Sequence, residues 1–158
     1  MTDPALTHLD AAGNARMVDV SAKQVTVRTA TAAGRVLLSA ECVALLRSGD
    51  IPKGDALAVA RIAGIMGAKK TPELIPLCHP LVVSGVEVGV EIVDEGVELT
   101  ATVRTNERTG VEMEALTAVS VAGLALVDMV KAVDKRAVIS DIRVTAKSGG
   151  RSGDWRRD

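Results

Sequence analysis

Between Val86 and Val103 apolar side chains occupy every second position: Val86, Val88, Val90 and Ile92, then Val97, Leu99, Ala101 and Val103, with Glu, Gly, Thr and Arg between them. A period of two predicts strands with one buried face, and Asp94-Glu95-Gly96 in the middle predicts an antiparallel hairpin. A shorter alternation, Val25 and Val27 against Thr26 and Arg28, predicts an earlier strand over residues 24–32. The period then lengthens. Ser39 stands as an N-cap before Glu41, Val43, Leu45 and Leu46, and Gly49 closes a short helix. Asp55 caps a second helix, expected to run to about residue 68, whose apolar side (Leu57, Ala60, Ile62, Ala63, Ile65, Met66) has many small neighbours and so packs closely. Thr71-Pro72 reads as the N-cap and first position of one further turn, stopped by Pro76 and Pro80. The longest helical signal covers residues 111–133. Its apolar residues project on nearly every side, so part of it is expected to be covered by another subunit. A last strand is predicted over residues 137–146 with Val138, Ile142 and Val144 on one face, followed by a glycine-rich basic tail from Lys147 to Arg157.

The order strand, helices, strand, strand, helix, strand is that of an α+β, ferredoxin-like βαββαβ fold, an antiparallel sheet packed against helices. Residues 1–15 have little periodicity and read as an N-terminal arm that is mobile unless a partner pins it, leaving residues 16–158 as a single domain with its tail. A fold of this kind hosts many functions, among them RNA binding. The RNA-binding version stacks bases on aromatic residues of its central strands. Here Trp155 is the only aromatic residue, so that function is disfavoured and the core must be aliphatic.

With 158 residues, 47% of them hydrophobic, the chain is long enough to bury a core without disulfides or metal. Nineteen basic residues against 20 acidic ones give a net charge of -1, which offers no bulk attraction to nucleic acid or to an acidic membrane. Any anion site must be local. Two cysteines, no leader pattern and no uninterrupted apolar span lead to the expectation of a cytoplasmic protein. Cys42, Cys78, His8 and His79 match no zinc spacing, so neither a metal nor another cofactor is expected.

The ionisable groups on the long apolar helix carry more information. At about 100° per residue, Glu114 and Asp128 share a side, and Lys131 follows Asp128 by one turn. An ordinary surface ion pair would explain the last two. Alternatively Asp128 holds Lys131 inside a cleft for proton transfer. Pro80 restricts His79 to extended conformations and Pro76 stiffens the approach, so the imidazole is held in place, although a turn between prolines can simply require a polar residue. Lys147-Ser148-Gly149-Gly150-Arg151-Ser152-Gly153 sets backbone donors beside cations, which suits phosphate oxygens, or is a flexible terminus. Lys53, in Pro52-Lys53-Gly54-Asp55, admits the same two readings.

Taken together these segments have a likeness. Met17-Val18-Asp19-Val20-Ser21-Ala22-Lys23, Lys53-Gly54-Asp55, Leu74-Ile75-Pro76-Leu77-Cys78-His79-Pro80-Leu81, Thr109-Gly110-Val111-Glu112-Met113-Glu114-Ala115-Leu116-Thr117 and Ala146-Lys147-Ser148-Gly149-Gly150 closely resemble the MoaC family, the cyclic pyranopterin monophosphate synthases of molybdenum cofactor biosynthesis. The resemblance implies a nucleotide-derived substrate, 3',8-cyclo-7,8-dihydroguanosine 5'-triphosphate, converted to cyclic pyranopterin monophosphate with release of diphosphate. It also implies a homohexamer, a trimer of dimers, with sites between subunits. Position by position, Leu77, Cys78 and His79 with Met113 and Glu114 match the family's substrate-binding segments, Asp128 matches its active-site acid, and Lys53, Lys131 and Lys147 match its functional lysines. Lys53, Lys147 and Arg28 are then expected to stabilise phosphate oxygens, while Lys131, positioned by Asp128, exchanges protons with the opening guanine ring. The rival reading from another class is a non-catalytic ferredoxin-like module that binds a metabolite and regulates something else.

Overall fold

The computed structural model describes residues 7–158; the first six residues of the predicted N-terminal arm lie outside the described residues. Eight elements follow in chain order: β1 (Thr26–Leu37), α1 (Ala40–Ser48), α2 (Ala56–Leu74), β2 (Val83–Val93), β3 (Gly96–Glu107), α3 (Glu112–Val130), β4 (Val138–Ser148) and β5 (Trp155–Arg156). The strands form one sheet in the order β2-β3-β1-β4-β5, with every neighbouring pair antiparallel. Without β5 this is the ferredoxin-like order, and α2 and α3 cover one face of it.

The hairpin matches the sequence pattern. Val93 pairs with Gly96 across a two-residue loop, and Gly96 adopts φ +150° where an added Cβ would strike the Val36 carbonyl. Both predicted caps are present: the Ser39 hydroxyl accepts from Cys42 N at 3.2 Å, and Asp55 Oδ1 accepts from Ala58 N at 3.0 Å.

Four elements depart from the periodic reading. First, β1 runs on to Leu37 because its inward positions, Ala30, Ala32, Gly34 and Val36, are small rather than absent. A Cβ on Gly34 would lie 2.8 Å from Val119 Cγ1 of α3, so the central strand is built from small residues to let that helix close on it. Second, α2 does not stop near residue 68 but continues through Thr71-Pro72 to Leu74. Thr71 is buried inside the helix, its hydroxyl donating to Gly67 O at 3.1 Å, and is no N-cap. Pro72 is tolerated because it falls in the last turn, where the loss of one N–H ends little. Third, β4 carries two bulges against β1, at Thr31/Ala32 and Ala33/Arg35, and Asp141 takes φ +57°. The extra residues break the alternation, so Val138 is exposed while Ile139 and Ile142 pack on the core. Fourth, the basic tail folds back as β5, pairing Trp155 with Lys147 and Arg156 with Ala146.

By length and composition α3 is apolar enough to span a bilayer, yet Val119, Ala122, Leu126 and Val130 are fully enclosed by the sheet and α2. The protomer therefore covers more of this helix than its composition suggests. Leu124 stays 61% exposed, and Val59, Ile62 and Met66 of α2 are exposed as well.

Helices α2 and α3 touch through glycine. A Cβ on Gly64 would come within 3.1 Å of Ala118 O, and one on Gly67 within 2.9 Å of Val121 Cβ. Helix propensity alone favours Ala over Gly by about 1 kcal/mol. Overpacking a closed seam costs about 1–3 kcal/mol. Gly67→Ala is therefore expected to lower stability in urea unfolding, and a variant more stable than its parent would contradict this packing.

Candidate active site

The turn after α2, the N-terminus of α3 and the segment before β1 enclose a cavity of about 410 Å³, lined by Val18, Lys23, Leu77, Cys78, His79, Gly110, Glu112, Met113, Glu114 and Arg151 among others. Cavities of this size suit a small organic ligand. Cys78 and His79 would point apart in a fully extended segment. They face one cavity because Cys78 N bonds back to Ile75 O at 3.1 Å and curls the chain. His79 Nε2–H donates to the Val18 carbonyl, which fixes the imidazole and ties the N-terminal segment to the site.

Glu114 is the unusual member. Its residue is 2% exposed, and burial, reinforced by the charge of Glu112, raises its pKa from 4.5 to about 7, offset only in part by its own backbone N–H. Glu114 also borders a separate cavity with Pro72 and Leu81. The Cys78 thiol is also pushed up, by burial first and by Glu114 second. A carboxyl that is half protonated at neutral pH can donate to or accept from a heterocycle's edge.

Beside this cavity lies a cationic rim of about 230 Å³, lined by Lys23, Arg28, Thr29, Thr109, Gly110, Glu112, Lys147, Ser148, Gly149 and Ser152. Arg28 Nε donates to Glu107 O at 3.0 Å. Lys147 Nζ lies 3.2 Å from Glu112 Oε1 and 3.2 Å from Ser152 Oγ. Gly149 and Gly150 take φ +84° and +76°, and a Cβ on Gly150 would collide with the Arg28 guanidinium. The turn thus sits close to cations, and its Gly149 N–H donates to Asp154 Oδ1 at 3.4 Å, an anion contact of the kind a phosphate oxygen can make. Lys23 and Arg151 line this region as well. Arg151 belongs to the basic glycine stretch that the sequence already offers to phosphate, whereas the one signal for Lys23 is its place in a motif stretch.

The acid–base cluster lies elsewhere. Asp128 Oδ1 is 2.8 Å from Lys131 Nζ, and Asp128 Oδ2 is 3.2 Å from Lys53 Nζ. Lys53 also donates to the Asp128 carbonyl at 3.0 Å. Hydrogen bonds from Lys131, then Lys53, hold the Asp128 carboxyl below its ordinary pKa. Glu114 and Asp128 share a helical side, but fourteen residues at 1.5 Å each set them about 21 Å apart along α3. The candidate residues therefore fall into two groups in one protomer. His79, Cys78, Leu77, Met113, Glu114, Lys147 and Arg28 gather at the N-terminal end of α3; Lys53, Asp128 and Lys131 gather at its other end. Among the described residues no three of His, Cys, Asp and Glu come together as a metal site.

The raised pKa of Glu114 has a consequence for stability. Below pH 4.5 the carboxyl is protonated folded or unfolded; between pH 4.5 and 7 the unfolded chain releases a proton that the folded chain keeps, so stability falls as pH rises. The full change is about 3 kcal/mol. Urea unfolding from pH 4.5 to 8 is expected to show this decline in the parent and to lose it in Glu114→Gln. Equal slopes in the two proteins would contradict the assignment.

Residues 17–150 match the model of the MoaC family. The chain is 69% identical over 156 residues to the cyclic pyranopterin monophosphate synthase of Streptomyces griseus, covering 99% of this chain and 88% of that protein. It is 67% identical over 155 residues to the protein of the same name from a Nocardioides species, covering 96% of this chain and 95% of the relative. Cyclic pyranopterin monophosphate synthase 2 of Mycobacterium bovis is 59% identical over 152 residues, which cover 96% of this chain and 91% of the relative. A match of this extent, on a fold and a cleft built from the motif residues, places the chain in the MoaC family.

Proposed function

We propose that this chain is a lyase of molybdenum cofactor biosynthesis that makes cyclic pyranopterin monophosphate, the product its relatives are named for, from 3',8-cyclo-7,8-dihydroguanosine 5'-triphosphate with release of diphosphate, the reaction its family resemblance implies. The observation that carries the reading is the junction of two kinds of surface. A buried, half-protonated Glu114 beside His79 and Cys78 suits the edge of a guanine-derived ring. The adjoining rim of Lys23, Arg28 and Lys147 suits its triphosphate.

Forming a cyclic phosphate requires an internal hydroxyl oxygen to attack the first phosphorus while the bond to the leaving diphosphate breaks. Arg28 and Lys147 stabilise the oxygens on which charge accumulates. Lys131, oriented by Asp128, exchanges protons with the ring as it rearranges. Lys53 bonds Asp128 from the opposite side and so works with the acid–base pair rather than with the phosphate rim.

These groups meet only if the active site is shared. A lysine that transfers protons near neutral pH is normally desolvated. Lys131 is instead 58% exposed and Asp128 57% exposed. Leu124, Asp128 and Lys131 follow one another at helical spacing, so the cluster continues an exposed apolar stripe. A second copy lying on Leu124, Val59, Ile62 and Met66 would desolvate the cluster and bring it to the neighbour's ring pocket, within a homohexamer arranged as a trimer of dimers. Residues 16–158 act as one catalytic domain, and the two free thiols, Cys42 and Cys78, fit a cytoplasmic setting.

Supplied with the cyclised guanosine triphosphate, the parent protein is expected to release diphosphate. Lys131→Ala is expected to keep the fold and substrate binding while turning over about two to four powers of ten more slowly. Turnover by that variant at half the parental rate would remove Lys131 from the chemistry. Absence of diphosphate release by the parent would remove the function.

A further inference from the structure

The cationic rim contains one carboxylate among its lining residues, that of Glu112. Glu112 is the first residue of α3, and the N-cap position before it, Val111, makes no side-chain cap. Glu112 thus stands in the first turn of a nineteen-residue helix, whose end is positive, and its carboxylate also pairs with the Lys147 ammonium. Gly110 makes the space for it. The three atoms nearest a Cβ added there would all belong to the Glu112 carboxylate. Gly110 is absent from the positive-φ residues, so it is the Glu112 carboxylate and not a left-handed backbone that an added Cβ would meet there.

We propose that Glu112 is an internal stand-in for phosphate: its carboxylate and a substrate phosphate compete for one seat between Lys147 and the N-terminus of α3. The proposal rests on the phosphate reading of the rim given above. The Lys147 and Glu112 side chains are 31% and 32% exposed. An ion pair exposed to that degree is held weakly and can be exchanged. Orthophosphate would swap one anion for another and gain little. A polyphosphate can take the seat and also reach Arg28, Lys23 and the Gly149-Gly150 turn, so the carboxylate selects for substrates with several phosphates. After the chemical step the same carboxylate competes with the diphosphate product and hastens its departure.

Inorganic diphosphate, titrated calorimetrically into the intact protein, tests the proposal without the nucleotide. Glu112→Gln is expected to bind diphosphate about tenfold more tightly than the parent. Gly110→Ala, which keeps the charge but evicts the carboxylate from its place, is expected to tighten binding in the same direction. Unchanged or weaker binding by Glu112→Gln, with the parent binding diphosphate normally, would overturn the stand-in and leave the phosphate rim in place. Tightening in Glu112→Gln without tightening in Gly110→Ala would also overturn it, because charge and not occupancy would then set the affinity. If neither parent nor variant binds diphosphate, the phosphate reading falls together with the proposal.

Discussion

Helix α3 imposes the constraint on which the other features depend. Its buried side is closed by β1, β3 and β4 below and by the glycine seam of α2 alongside, so it cannot tilt or bend to bring its ends together. It carries Glu114 in its first turn and Asp128 in its last, with Lys131 as its C-cap residue. A rod of this length sets Glu114 and Asp128 about 21 Å apart along its axis. No side chain spans that gap. Gly34, Gly64 and Gly67 let neighbouring backbones close on α3, where an added Cβ would meet Val119, Ala118 or Val121.

Charge is sorted along this helix by burial. At the N-terminal end a carboxyl is enclosed until it is half protonated, and beside it the cations of the rim outnumber the one acid. At the other end an acid lies open between two lysines and stays ionised. Opposite treatments of two carboxyls on one element equip the first for reading a neutral heterocycle and the second for holding an ammonium in place.

The parts of the fold that were legible from sequence are those where one residue type makes one local choice. The alternation of Val88 and Val90 with Glu87 and Glu91, the Ser39 and Asp55 caps and the Gly49 stop act within a few residues, and all are where the pattern puts them. Features decided by distant contacts were not legible. The continuation of β1 depends on what α3 presses against Gly34, and the bulges of β4 on its pairing with β1. Thr71-Pro72 has the local form of a helix start, yet burial of Thr71 keeps it inside α2. The site shows the same division. Spacing singled out Asp128 with Lys131, which are neighbours on one helix, but gave no place to Lys23, which lines the cleft where segments distant in the chain converge.

The account stands or falls on whether two protomers complete one active site. Mixed oligomers test this directly: His79→Ala, impaired in ring recognition, is co-assembled in equal amounts with Lys131→Ala, impaired in proton transfer, and diphosphate release is measured. Each variant alone releases diphosphate far more slowly than the parent, and random mixing restores about a quarter of the parental rate, because that fraction of sites pairs one intact ring pocket with one intact acid–base cluster. A mixture no more active than its separate components would contradict a shared site.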